Sequence, residues 1–171
     1  YDIVRKLPDN ISVDLLSEKN DRLGIKASTS SFALNCLPSE DFPSIAQEEF
    51  NHSFNIDASE MIRLIDKTSF AMSLEETRYY LNGILLEVSP SQINVVATDG
   101  HRLAWSCCKL KTDFTDEKII IPRKSALELQ KLLNLYPENV NISFNSNQLK
   151  VFSDDYTCIS KLIEGSYPDY E

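Results

Sequence analysis

Apolar and polar residues alternate along many short segments of this chain, and a period of two is typical of strands that bury one face. Two further stretches repeat their apolar residues every three or four positions, which predicts amphipathic helices. The alternation predicts strands at residues 50–56, 79–88, 92–98, 101–110, 118–121, 140–145, 148–153 and 156–163. The two helices follow the first and the fifth of these strands.

A characteristic residue marks the start of each predicted helix. Asp57 is suited to cap the first helix, and Glu60, three residues later, can reach back to the Asp57 amide in a capping box. Pro122 suits the first turn of the second helix, because the amide hydrogen that proline lacks has no helical partner there. The residues expected on the inner faces are Met61, Ile62, Leu64, Ile65 and Thr68 in the first helix and Ala126, Leu127, Leu129, Leu132 and Leu133 in the second.

The resulting order is β, α, β, β, β, followed by the same order again. Helices separated by antiparallel meanders predict an α+β fold of two similar βαβββ halves, with two helices on one face of the sheets. Gly83 indicates a bulge or a close backbone approach in its strand. Asp99 and Gly100 form the strongest hairpin dipeptide in the sequence, and the expected tight turn needs positive φ at both positions.

An internal similarity extends this pattern toward the start of the chain. LPSEDFPSI at 37–45 aligns with LIEGSYPDY at 162–170, in the order leucine, four residues, aromatic, proline. Residues 1–48 therefore resemble the last third of a unit, and 49–171 resemble a nearly complete one. This interpretation predicts a longer native protein, cut at Tyr1 and again after Pro168. Chance similarity between two ordinary β-meanders is the alternative.

Composition narrows the class of protein. The 171 residues carry 26 Asp and Glu against 17 Lys and Arg, a formal net charge of -9. The apolar runs are far shorter than the roughly 20 residues of a membrane-spanning helix, and the first six residues do not resemble a secretory signal. A strongly basic nucleic-acid binder is excluded, whereas an acidic protein with one basic face is not.

The four cysteines lack the spacing of a metal site. Cys36, Cys107, Cys108 and Cys158 include no CxxC pair, and adjacent strand residues point to opposite faces. We expect reduced, buried thiols in a cytoplasmic protein, with no metal and no cofactor.

Four motifs together resemble the bacterial sliding clamp family, the β subunit of DNA polymerase III. They are VATDGHRLA at 96–104, RYYLNG at 78–83, IPRK at 121–124 and GSYPDY at 165–170. The resemblance implies a DNA-clamp fold, with 1–48 as the end of the first clamp domain and 49–171 as most of the middle domain. It also implies a non-catalytic processivity factor: a homodimeric ring around duplex DNA that tethers the polymerase III catalytic subunit, the clamp loader and other clamp-motif proteins.

The candidate DNA contacts are cationic or aromatic. Arg123 and Lys124 begin the second helix, and the resemblance places them toward the hole of the ring, where contacts to phosphate need no base recognition. Arg63, Lys67 and Lys131 are weaker candidates, and a solvated helix face is the alternative for all five. Near 74–80, Arg78 could contact phosphate and Tyr79 could stack, whereas Glu75 would repel phosphate and Tyr80 is expected to pack at the strand start.

A peptide-binding pocket is the third implication of the resemblance. Its middle-domain wall would comprise Leu81, Thr98, Gly100, His101, Arg102, Leu103 and Pro168. Leucine and proline offer apolar surface, glycine admits a ligand backbone, and the two basic residues supply donors at the rim. Ordinary hairpin capping is the alternative for His101 and Arg102, and core packing is the alternative for Leu81 and Leu103.

Two other functional classes are weighed against the clamp. An enzyme would use Asp99 and His101 as an acid–base pair, but the turn already explains Asp99 and no nucleophile motif flanks the pair. A β-rich protein-interaction domain without a DNA role is the other alternative.

Overall fold

An antiparallel meander precedes a larger duplicated unit. The computed structural model describes residues 1–19, 21–44, 49–113, 115–136 and 138–170, and the chain divides into the units Tyr1–Ala46 and Gln47–Glu171. The first unit has a short helix, α1 (Asp2–Arg5), and three neighbouring strands, β1 (Val13–Glu18), β2 (Arg22–Ala27) and β3 (Ser30–Asn35). Strand β2 pairs antiparallel with both of its neighbours, so the first unit is a three-stranded meander.

The second unit repeats one order of elements. Its first half is β4 (His52–Asp57), α2 (Ala58–Thr68), β5 (Gly83–Val88), β6 (Gln92–Thr98) and β7 (Leu103–Lys109). Its second half is β8 (Glu117–Pro122), α3 (Arg123–Leu135), β9 (Asn139–Phe144), β10 (Gln148–Phe152) and β11 (Thr157–Lys161). The α+β class and the duplicated βαβββ order are confirmed.

Each half gives its first strand to the sheet of the other. The two sheets have the orders β11-β10-β9-β4 and β7-β6-β5-β8, and all their pairings are antiparallel. Strand β4 therefore pairs with β9, and β8 pairs with β5. Gly83 opposes Pro122 in the second of these pairings, and a Cβ built on Gly83 would lie 2.4 Å from the carbonyl oxygen of Ile121. The prediction of a close backbone approach at Gly83 is confirmed.

One apolar core joins the halves. Helix α2 contacts α3, β6 and β7, and α3 also contacts β5 and β8. The fully or almost fully buried helix residues are Ala58, Met61, Leu64, Ile65 and Thr68 from α2 and Ala126, Leu129 and Leu133 from α3. Ile62 and Leu127 pack at the margin. Burying a leucine or isoleucine side chain contributes about 1.5–3 kcal/mol, so these two stripes hold the helices against the sheets.

The helix starts agree only partly with the capping prediction. Asp57 does cap α2, since its Oδ1 accepts from the amide of Ser59 at 2.8 Å. Glu60 does not act in a capping box: its carboxylate accepts three contacts from Arg63. Helix α3 begins at Arg123, directly after Pro122, and has no side-chain cap.

Two predictions are wrong: the start of the strand at 79–88 and the type of the Asp99–Gly100 turn. The strand predicted at 79–88 begins only at Gly83, because Glu76–Leu81 form a 3₁₀ segment with a kink at Arg78. The Asp99–Gly100 turn is not of the two-residue type. Gly100 has φ +87°, whereas Asp99 is not among the residues with positive φ, and β7 starts only at Leu103.

The cysteines depart from the expectation of burial. All four are free thiols, but Cys36 is exposed and the other three are half-buried. Burial raises the pKa of Cys108 and of Cys158. Within the described ranges, no helix has both the length and the apolarity to cross a bilayer.

Candidate functional site

The loop between β6 and β7 is held by its own side chains. Asp99 Oδ1 accepts from the amides of His101 and Arg102 at 3.0 and 3.1 Å, and Asp99 Oδ2 accepts from Arg102 Nε at 3.0 Å. Thr98 Oγ1 accepts from the Gly100 amide and donates to the Arg102 carbonyl. The bonds that Asp99 accepts, the one from the His101 amide first and then those from Arg102, lower the pKa of its carboxyl. Asp99 therefore acts as a loop clamp, and these bonds account for the residue without an acid–base role, although the loop is not the predicted two-residue turn.

The segment after β11 lies against the same loop. The Thr98 amide donates to the Tyr167 hydroxyl at 2.9 Å, and burial raises the pKa of Tyr167. Ile163 bridges to Ile120 on the edge strand β8. Three tyrosines, Tyr80, Tyr167 and Tyr170, pack with Ile163 on a small cluster formed by Leu85, Val96 and Ile120. The hydrogen bond from Thr98 to Tyr167 joins residues that are 69 positions apart in sequence, and it brings the segment that contains Pro168 to Thr98.

The residues expected to line the peptide pocket differ in accessibility. Leu81 is 3% exposed and Thr98 is also buried, so both present little side-chain surface in this conformation. Leu103 is 47% exposed. Gly100, His101, Arg102 and Pro168 are exposed, and the Arg102 guanidinium lies 5.9 Å from the centre of the Phe70 ring. Gly100, His101, Arg102 and Leu103 are the exposed members in and beside the Asp99 loop, whereas Leu81 belongs to the buried core.

Arg78 and Tyr79, the candidates from the 3₁₀ segment, lie beside the candidate pocket. A Cβ built on Gly100 would be 2.8 Å from Arg78 Nη1, and one on Gly165 would be 3.8 Å from the Tyr79 ring. Arg78 also forms a 3.4 Å ion pair with Glu75. Tyr79 is 57% exposed, whereas Tyr80 packs in the small cluster, as expected.

The cationic side chains of α2 and α3 differ in whether the protein's own groups engage them. Arg63 donates to Glu60, to Ser106 Oγ and to the Cys107 carbonyl, so its guanidinium is directed toward β7, although the side chain remains 40% exposed. Lys124, at the start of α3, is exposed, and Arg123 beside it is half-buried. Lys67 is exposed, and Lys131 pairs with Glu128 at 2.9 Å.

Two residues of this region were missed by the sequence interpretation. Tyr167 was treated only as part of a motif, although it connects the last described segment to the β6–β7 loop. Trp105, two residues after Leu103, is 55% exposed on β7. The alternation along β7 places Trp105 on the same face as Leu103, and this signal could have identified it.

The duplicated βαβββ unit with its two antiparallel sheets has the DNA-clamp fold. The family model for the central domain of the DNA polymerase III beta subunit matches residues 55–169. The chain belongs to this family, the bacterial sliding clamps.

Named relatives agree over nearly the whole chain. The beta sliding clamp of Pseudomonas aeruginosa is 40% identical over 173 residues, and that of Escherichia coli is 34% identical over 170. The crystal structure of the Pseudomonas aeruginosa subunit superposes with a TM-score of 0.92 at 39% identity. A Bartonella birtlesii sliding clamp bound to griselimycin gives 0.91 at 40%. These alignments cover 99% of this chain but 46% of each curated relative and of the Pseudomonas aeruginosa structure, and 47% of the Bartonella birtlesii one.

Proposed function

We propose that this chain forms part of a ring-shaped sliding clamp that encircles duplex DNA without sequence preference and acts as a DNA polymerase processivity factor. The ring is a homodimer and works in the cytoplasm as a non-catalytic subunit of the polymerase III holoenzyme. Residues 1–48 belong to the end of the first clamp domain, and residues 49–171 form the middle domain. The carrying observation is the agreement of the duplicated fold with relatives named as sliding clamps over 99% of this chain.

The charge distribution supports the DNA contact. The chain has a net charge of -9, yet α3 carries three cations, Arg123, Lys124 and Lys131, against one carboxylate, Glu128. A basic helix on an acidic protein directs phosphate to one face and limits binding elsewhere. Arg123 and Lys124 are the main contacts in this proposal, with Arg78 and Tyr79 at the rim.

The surface around the Asp99 clamp supports the partner contact. The polymerase III catalytic subunit, the clamp loader and other clamp-motif proteins insert apolar peptide side chains beside Leu103 and Pro168, with Leu81 and Thr98 as the floor. Gly100 admits the peptide backbone, and His101 and Arg102 donate from the rim. The hydrogen bonds of Asp99 fix this loop before a peptide arrives, which lowers the entropic cost of peptide binding.

Retention of the complete ring on closed circular DNA tests the proposal. Replacing Arg123 and Lys124 with glutamine removes two phosphate contacts, so the slope of log K against log salt should fall in magnitude by about 1.8. Loaded rings should also dissociate faster as salt rises. A filter-retention assay over a salt series measures both.

A matched variant removes the same charge from strands. Lys109 and Lys161 are exposed strand residues, and their double glutamine variant should retain DNA as the parent does. Equal retention by the Arg123 and Lys124 variant would contradict the assignment of α3. Failure of the parent ring to stay on circular DNA would favour a protein-interaction domain without a DNA role.

A further inference from the structure

Strand β7 exposes a tryptophan next to the candidate pocket. Burial alternates along this strand: Leu103 and Trp105 are exposed, whereas Ala104 and Ser106 are buried. Leu103 and Trp105 therefore share one face of the sheet and lie about 7 Å apart along the strand. Within the second unit, β7 is an edge strand of its sheet. Because both side chains are exposed, a peptide that lies on this face can contact both of them.

The indole is held at its polar end. Its Nε1 donates to Asn94 Oδ1 at 3.2 Å, and Gln92 Nε2 donates to the same oxygen at 2.6 Å. Trp105 stands directly opposite Val96, which belongs to the small cluster that Tyr167 covers. The hydrogen bond orients the ring while much of its apolar surface stays in water. An aromatic ring prepared in this way loses little conformational entropy when a ligand covers it.

Trp105 is continuous with the surface of the proposed peptide pocket. Leu103 pairs with Thr98 in the β6–β7 register, and the Thr98 amide binds Tyr167, the neighbour of Pro168. Thr98 therefore connects the segment that contains Pro168 with Leu103, and Trp105 follows Leu103 on the same face of β7.

We propose that Trp105 is a specificity-determining residue that extends this pocket along β7. The preferred ligand is an extended peptide with two apolar side chains two residues apart, one against Leu103 and one against Trp105. In an extended peptide, side chains on one side recur every second residue at about 7 Å, which matches the spacing of these two residues. The inference rests on the proposed function, because it adds a second contact to the same pocket.

Selection of random linear heptapeptides on phage tests the ligand class. The complete subunit is the target, in its parent form and as the Trp105→Ser, Leu103→Ser and Leu135→Ala variants. The parent should select apolar residues at positions i and i+2, and Trp105→Ser should keep only one of them. Leu135 is an exposed leucine at the end of α3, and its variant should select the parental pattern. Thermal midpoints by circular dichroism verify that each variant is folded.

Direct titration with a synthetic peptide of the selected sequence, free of tryptophan, gives the second readout. Trp105 is the single tryptophan of these 171 residues, so the difference in emission between the parent and the Trp105→Ser subunit reports on this ring. That difference signal should shift to shorter wavelength as the peptide covers the ring. Affinity for Trp105→Ser should be about tenfold weaker. An unchanged pattern with Trp105→Ser, alongside its loss with Leu103→Ser, would overturn this inference and leave the pocket intact. Absence of any Leu103-dependent pattern would overturn the pocket as well.

Discussion

The two halves of the second unit share one interior but differ at the ends of their elements. In the first half, the β6–β7 loop is fixed by Asp99 and by a glycine with φ +87°. In the second half, the β10–β11 turn has a simpler closure, in which the Ser153 amide donates to the Tyr156 carbonyl at 3.0 Å. The second half places its comparable side-chain closure at the β9–β10 turn instead, where Asn145 Oδ1 accepts from the amides of Asn147 and Gln148.

The two helices also differ, in their capping and in the exposure of their cations. Helix α2 has a side-chain cap, and its Arg63 is engaged by Glu60 and β7. Helix α3 begins without a side-chain cap and exposes Lys124 in its first turn. The two halves therefore share one core and differ at the ends of their elements, where most of the proposed peptide surface lies in the first half and the exposed Lys124 lies in the second.

The strand exchange predicts that the halves unfold together. Leu64 in α2 and Leu133 in α3 are both fully buried, so Leu64→Ala and Leu133→Ala should each lower the free energy of unfolding by about 3 kcal/mol. Urea titration followed by far-ultraviolet circular dichroism and by Trp105 fluorescence should give one coincident transition for each variant. Trp105 lies in the first half. An unshifted fluorescence transition in Leu133→Ala would therefore show that the two halves unfold independently.

A smaller loss of stability is expected from a substitution in the β6–β7 loop, and a still smaller one from a substitution in the corresponding turn of the second half. Gly100→Ala forces a side chain into positive φ and should cost about 1–2 kcal/mol in the free energy of unfolding. The nearby Arg78 guanidinium is the end of a flexible side chain and can move, so backbone strain dominates this cost. Asp155→Ala, in the corresponding turn of the second half, should change the same quantity by less than about 0.5 kcal/mol. Equal losses in urea titrations would remove the distinction between the two loops.

Local patterns in the sequence predicted most of the fold. The alternation located the strands of both halves, and the helical stripes identified the buried faces of α2 and α3. The 3₁₀ segment at Glu76–Leu81 was mistaken for a strand, because Tyr79 and Tyr80 have high strand propensity and the kink at Arg78 leaves no local signal. The exchange of β4 and β8 between sheets was not predicted, since non-local pairing is not encoded in the period of a single strand.

The candidate site was predicted by resemblance more than by pattern. The motifs identified Leu103 and Pro168, but the bond from Thr98 to Tyr167 joins positions that are far apart in sequence. The accessibility of each residue also depends on packing: Leu81 and Leu103 are both leucines, and only the second is exposed. Neither interpretation of Arg63, a weak DNA contact or a solvated side chain, included its bond to the Cys107 carbonyl, because that bond depends on the position of β7.

The smallest expected difference concerns the helix starts. Asp57→Ala removes the α2 cap and should lower the thermal midpoint at pH 7 by about 2–4 °C. Asp154→Ala, which removes the same charge from an exposed turn in the second half, should change it by less than about 1 °C. The hydrogen bond from Ser59 lowers the pKa of Asp57 below its ordinary value of 3.8. The unfolded chain therefore binds this proton first on acidification, so the cap stabilises the fold fully above that value and loses its effect as the pH falls through the lowered pKa. Calorimetry at a series of pH values should show the parent and Asp57→Ala midpoints converging in acid. A constant difference between them down to the lowest pH at which both fold would mean that Asp57 stabilises α2 without its charge.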